Sequence, residues 1–215
     1  MTSAICVVTR ARGAAGSAER GALIERLAAA ASAGADMIQV RERLFDDRAL
    51  LAFVQELIRA VEPTTCRVLV NERTDIALAA GAAGVHLRSD SPAPSDVRAI
   101  VPAGFIIGRS VHALEEATFT AAAGGCDYRL FGTVFPSASK PDGHPIAGVA
   151  ALADVCRAVT LPVLAIGGIT AARAAEAAAA GAAGVAAISW FSEARDIAEA
   201  VSTLRDALTL NRGNV

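Results

Sequence analysis

The chain is poor in aromatic residues. Phe, Trp and Tyr make up 4% of its 215 residues, so its core must be aliphatic and rich in small side chains. It has no basic arm or patch, and its formal net charge is −2, so nucleic acid is not an expected partner. Its four cysteines, Cys6, Cys66, Cys126 and Cys156, show no C-x-x-C spacing and read as scattered reduced thiols. The opening MTSAICVVTR lacks a basic segment and an apolar run long enough for a secretory signal. A cytoplasmic location follows as the expectation. The Ala-rich run 174–187 is weakly hydrophobic and carries Glu176, so no membrane span is expected. No G-x-G-x-x-G fingerprint follows the first apolar run, where TRARGAAGS (9–17) stands. That argues against an open dinucleotide-binding sheet. No linker or low-complexity boundary divides the chain, so residues 1–215 read as one domain, with 211–215 expected to fray.

Apolar residues are abundant, at 53%, enough for a sizeable core. The phrase AAGAAGV occurs at 79–85 and again at 179–185, and SAGADM (32–37) and AGGCDY (123–128) echo its shape. Each phrase closes an Ala-rich helical stretch with Gly, which suits a left-handed helix end. Each then opens a short β-branched or apolar run. With the runs between them, strands are predicted near 5–9, 37–42, 67–71, 84–88, 105–110, 127–134, 162–168 and 184–189. Helical patterns separate them, as in ALIERLAAAA (22–31) and DRALLAFVQELIRAVE (47–62). Eight strands alternating with helices imply right-handed crossovers and a parallel sheet, which closes as a (β/α)8 TIM barrel.

Chemistry in such a barrel sits at the C-terminal ends of the strands. Those ends carry Gln39, Arg41 and Arg43; Asn71, Glu72, Arg73 and Asp75; His86, Arg88 and Asp90; Arg109, Ser110 and His112; Thr133, Ser137, Ser139 and Lys140; Gly167 and Gly168; and Ser189. Arg73 with Asp75 reads equally well as a local ion pair. Three features rise above ordinary strand-end polarity. Alternation in QVRER sets Gln39, Arg41 and Arg43 on one side, an amide beside two guanidiniums suited to an anion. The alternative is that Arg41 pairs with Glu42 or with another carboxylate of the barrel. IGGIT (166–170) and AAISW (186–190), which contain Gly168, Ile188 and Ser189, end the last two strands, where barrels commonly hold phosphate. FPSASKP (135–141) is a Ser/Pro loop ending in Lys140 that could close over phosphate or diphosphate, or simply be a solvated loop. Two anion cradles with Glu72 and Asp90 suggest Mg2+, which takes one or two carboxylates plus substrate phosphates. Asp90 alone would more often be a helix cap.

The ordered motifs IQVRER, LVNERTDIALAAGAAGVHL, IIGRSVHALEEA, DYRLFGTVFPSASKP, VLAIGGIT and GVAAIS resemble the thiamine phosphate synthase/TenI family over residues 37 to 190. The resemblance implies the same barrel. It also implies a transferase joining 4-amino-5-hydroxymethyl-2-methylpyrimidine diphosphate to 4-methyl-5-(2-phosphoethyl)thiazole, giving thiamine phosphate and diphosphate with Mg2+. Its partners would then be a phosphorylated pyrimidine and a phosphorylated thiazole, and a homo-oligomer stays open. The implied catalytic residues are Lys140, Ser110 and Arg41. Gln39 and Arg41 match diphosphate-binding positions, with Arg43 beside them and Ser110 near the diphosphate; Ser137, Ser139 and Lys140 match a Thr-x-Thr-Lys loop whose Lys140 would hold diphosphate, and Asn71 matches a pyrimidine position. Gly168 and Ser189 match the thiazole-phosphate site, Ile188 is a further substrate-binding residue, and Glu72 and Asp90 fall on the metal side. The departures cluster on the diphosphate side. Arg43 stands where synthases have Lys, and Glu72 where they have Asp. His86-Leu87-Arg88-Ser89-Asp90-Ser91 replaces His-Leu-Gly-Gln-x-Asp, so Ser91 takes the place of the second metal Asp. A TenI-like thiazole tautomerase is the rival, but its catalytic His position is Thr133. His86, His112 or His144 would have to substitute. A third reading is a degenerate homologue that binds thiazole phosphate or regulates a partner.

Overall fold

The structure is a computed structural model and describes residues 3–10, 16–137 and 143–210. Its strands are β1 (Ala4–Val8), β2 (Met37–Val40), β3 (Arg67–Asn71), β4 (Gly84–Leu87), β5 (Ile106–Val111), β6 (Tyr128–Phe131), β7 (Val163–Ile166) and β8 (Gly184–Ala187). All pair in parallel and in sequence order, and β8 returns to β1 to close the barrel. Outside it run α1 (Ser17–Ser32), α2 (Asp47–Val61), α3 (Thr74–Ala80), α4 (Pro94–Arg98), α5 (Leu114–Ala123), α6 (Gly148–Ala158) and α7 (Ala171–Ala179). A single-turn α8 (Ser189–Ser192) precedes the long α9 (Ile197–Leu210). This is a (β/α)8 TIM barrel. The terminal residues 211–215 lie outside the described residues.

The repeated phrase has a backbone cause. Gly81 and Gly181 follow α3 and α7 with φ of 73° and 96°, a conformation that glycine takes without steric cost. Gly84 and Gly184 then open β4 and β8. A Cβ there would lie 2.1 Å from the carbonyl oxygen of Ile106 or Ala4 on the neighbouring strand. The two weaker echoes share another device. Asp36 accepts the Ile5 N–H at 2.7 Å and pairs with Arg205. Asp127 accepts the Ile107 N–H at 2.7 Å and pairs with Arg98. Each carboxylate ties its own strand to the one before.

Strand alternation divides the packing in two. Ile38, Val40, Val85, Phe131 and Val185 face the helices and meet Phe53, Leu57, Leu152 and Val201 in the main core. Cys6, Val8, Leu69, Tyr128, Leu130, Leu164 and Ala186 fill the barrel interior. Gly108 makes room for the Tyr128 ring, since a Cβ would sit 2.2 Å from it. Several strands stop earlier than predicted. β2 ends at Val40 because the Arg41 N–H donates to the Thr9 hydroxyl instead of extending the ladder. β7 ends at Ile166, ahead of left-handed Gly167 and Gly168.

Candidate active site

The C-terminal ends of the strands surround a cavity of about 730 Å³, within the range of small-molecule sites. Val8, Leu130, Ile166 and Ile188 give it an apolar base, and Gln39, Asn71, His86 and Ser110 a polar one. Arg10, Arg41, Arg43 and Arg88 ring its mouth. The predicted residues Gln39, Arg41, Arg43, Asn71, Ser110, Ser137 and Ile188 therefore meet on one cavity. Burial chiefly, then the charges of Arg43, Arg10 and Arg88, push the Arg41 pKa down. Guanidiniums still stay charged at any ordinary pH, so the mouth attracts anions.

An amide relay crosses the polar base. Asn71 Nδ2 donates to Glu72 Oε2 at 3.2 Å, and Gln39 Nε2 donates to Asn71 Oδ1 at 2.8 Å. The carboxylate fixes both amide orientations, because an ionised carboxylate can only accept. Gln39 Oε1 is thereby left buried, with no hydrogen-bond partner among the described residues. Gln39 itself lines the cavity beside Asn71.

His86 ties the base to the barrel interior. Its Nδ1 lies 2.9 Å from the Tyr128 hydroxyl and its Nε2 2.9 Å from Ser110 Oγ. Burial, with a smaller contribution from the charge of Arg109, lowers its pKa to about 3, so the imidazole is neutral. The buried Tyr128 hydroxyl has no other partner among the described residues and donates to Nδ1. Nε2–H then donates to Ser110 and leaves the serine hydrogen directed to a ligand. Such a histidine is not a general base. His112 lines the cavity with its Nδ1 2.5 Å from the Gly132 carbonyl oxygen, and His144 lies 3.2 Å from Thr133 Oγ1.

A recess adjoins the cavity and shares Ser137, Ile166, Gly167 and Ile188 with it. Gly168, Ile169, Ala187 and Ser189 complete it. Gly167 and Gly168 have φ of 102° and 62°, and a Cβ on Gly168 would lie 2.3 Å from the Pro136 carbonyl oxygen. Arg173 holds the turn by donating to the Gly168 carbonyl at 2.7 Å and lying over the Phe135 ring. α8 starts at this recess, and the first N–H groups of a helix have no acceptor within it. Loops after β7 and β8 with a short extra helix are the usual phosphate site of this architecture.

Glu72 and Asp90 do not converge on an open position. Arg88 lies between them, with Nη1 3.4 Å from Glu72 Oε2 and Nη2 2.7 Å from Asp90 Oδ2. Among the described residues no three His, Cys, Asp or Glu side chains gather as a metal site. Two carboxylates already paired with a guanidinium do not fit Mg2+, which demands near-octahedral oxygen ligation. Ser139 and Lys140 lie outside the described residues.

Arg109, counted at the rim from sequence, points away from it. Alternation sends it outward, where it donates to the carbonyls of Ser89, Ser91 and Pro92 and holds the loop after β4. Arg73 also stays out of the cavity, paired with Asp75 and Asp47. Arg10 was missed, although its place directly after β1 was the signal that identified the other rim residues.

The family model described as thiamine monophosphate synthase matches residues 5–191. The thiamine-phosphate synthase of Methanoculleus marisnigri is 43% identical over 179 residues, covering 83% of this chain and 84% of that protein. That of Methanocella arvoryzae is 42% identical over 195 residues, covering 90% and 91%. Among solved structures, thiamine phosphate pyrophosphorylase from Pyrococcus furiosus superposes with a TM-score of 0.83 at 30% identity, over 98% of this chain and 97% of that one. A 3-hexulose-6-phosphate synthase, at 20% identity and a TM-score of 0.72, shares the fold.

Proposed function

The chain belongs to the thiamine monophosphate synthase family and is a thiamine-phosphate synthase; we propose that the cavity residues divide its chemistry as follows. The enzyme couples 4-amino-5-hydroxymethyl-2-methylpyrimidine diphosphate with 4-methyl-5-(2-phosphoethyl)thiazole, giving thiamine phosphate and diphosphate. Gln39 and Asn71 take the aminopyrimidine. Arg41, Arg43, Ser110 and the loop carrying Ser137, Ser139 and Lys140 take the diphosphate. Gly168, Ile188 and Ser189 take the thiazole phosphate.

The pyrimidine methylene C–O bond breaks and its electron pair leaves with the diphosphate. The thiazole nitrogen lone pair then forms the new C–N bond. No proton has to be removed in this step, so a neutral His86 suits it: an imidazolium beneath the cavity would oppose the pyrimidine cation. Guanidiniums and the Ser110 hydroxyl stabilise charge on the departing diphosphate, which is electrostatic catalysis by fixed groups. The two anion cradles hold the reacting atoms together and remove the entropic cost of their meeting. Val8, Leu130 and Ile166 line the base with hydrocarbon and keep water from the cation. No helix among the described residues is long and apolar enough to cross a membrane; the proposed place of action of this biosynthetic enzyme is the cytoplasm.

One observation carries this assignment: an arginine-ringed mouth and a separate glycine recess open on the same cavity. Thermal-shift titrations with inorganic diphosphate and with thiazole phosphate test it. Two separate sites give additive stabilisation, and Gly168→Ala removes only the thiazole phosphate response. Mutual competition of the two ligands would refute the division.

A further inference from the structure

Resting on the synthase reading above, we propose that Arg88 supplies the positive charge between Glu72 and Asp90, so that the leaving diphosphate is met by the chain's own guanidinium and not by a bound divalent cation. The geometry is specific. Arg88 comes from the end of β4, Glu72 from the end of β3 and Asp90 from the following loop. The two ends of one guanidinium take the two carboxylates, Nη1 with Glu72 at 3.4 Å and Nη2 with Asp90 at 2.7 Å. A metal ion placed between these carboxylates would meet a cation of the same sign.

The backbone that carries Arg88 and Glu72 is held from several sides. The Arg88 N–H donates to Ser91 Oγ at 3.0 Å, so the serine standing in place of a second acid closes the turn. Arg109 fixes the carbonyls of Ser89, Ser91 and Pro92. Glu72 has φ of 62°, a left-handed conformation that is strained for a non-glycine residue. It persists here with the Glu72 N–H donating to the His86 carbonyl at 2.9 Å. Arg88 also lines the cavity with Arg10, Arg41 and Arg43. A guanidinium carries five N–H donors and binds phosphate oxygens in pairs, so Arg88 can hold its carboxylates and still face a diphosphate.

The test is calorimetric titration of the whole, EDTA-treated protein with inorganic diphosphate, with and without Mg2+, beside a spectroscopic titration with Mn2+ alone. Wild type is expected to bind diphosphate with an affinity that Mg2+ changes less than about threefold, and to bind no Mn2+ at the rim. Loss of one charge-assisted contact in Arg88→Gly is expected to weaken metal-free diphosphate binding by roughly 10- to 100-fold. It is also expected to make that binding Mg2+-dependent. Arg88→Gln, which keeps the side-chain bulk, should show the same loss if glycine loosens the loop. Stoichiometric Mn2+ binding by wild type, a tenfold or larger gain with Mg2+, or unchanged diphosphate binding in both variants would overturn the proposal. These binding outcomes decide it whether or not thiamine phosphate forms; failure to form product under any condition would count against the synthase reading alone.

Discussion

His86 Nε2 lies 2.9 Å from Ser110 Oγ, while its other ring nitrogen rests against the Tyr128 hydroxyl. The serine hydroxyl is thus aimed by a chain that begins inside the barrel. Ser110→Ala is expected to lower kcat by roughly 100- to 1,000-fold, the range for a lost donor to developing negative charge, with thiazole phosphate affinity unchanged. Tyr128→Phe frees His86 to adopt the other tautomer and is expected to lower kcat more than it raises KM. Steady-state kinetics of both variants check this, and a loss confined to KM would speak against it.

The same histidine makes stability depend on pH. Its pKa is 6.5 when unperturbed and about 3 in the fold. Between those values the unfolded chain binds the extra proton, so stability falls as pH drops below 6.5, with a slope approaching about 1.4 kcal/mol per unit. Urea denaturation at pH 7 and pH 5.5 should show the decline. His86→Gln should be less stable at pH 7 but lose less on acidification.

Gln39 tests the orientation of the amide relay. Gln39→Glu removes the donor to Asn71 and adds a carboxylate beside Glu72. The KM for the pyrimidine diphosphate is expected to rise about tenfold or more, since a buried charged mismatch costs a few kcal/mol at most sites. Affinity for the thiazole phosphate should stay as it was.

Glycines that look alike in sequence should differ sharply in tolerance. Gly184→Ala forces a methyl group against the Ala4 carbonyl at the β8–β1 seam and is expected to cost roughly 1–3 kcal/mol or more. Gly21 lies within α1, with open space where a Cβ would go. Gly21→Ala should stabilise the protein by roughly 0.5–1 kcal/mol. Chemical denaturation of the two variants gives the comparison.

Much of this was legible because the barrel repeats itself. AAGAAGV marked the joints before β4 and β8, since both need a left-handed glycine and then a strand-opening glycine. SAGADM and AGGCDY marked those before β2 and β6, where an aspartate ties two strands. Rim residues could be read as strand ends, which located Gln39, Arg41, Asn71 and Ser110. The rule failed where inward and outward positions alternate within the strand: Arg109 precedes Ser110 by one residue and so faces the opposite way. Long-range partners were not legible. Nothing local links His86 to Tyr128, 42 residues later, because only barrel closure and the space left by Gly108 bring them together. Arg88 could be recognised as a departure from the family pattern, but its position between Glu72 and Asp90 depends on the turn that Arg109 clamps from the next strand.

Lys140 is the only lysine of the chain and belongs to the loop assigned to the diphosphate. The most direct test of the account is to incubate the purified protein with both precursors and measure thiamine phosphate, beside Lys140→Ala and each precursor alone. Product is expected only when both are present, with a sharp fall in the variant. No product from a folded protein that binds both ligands would contradict it.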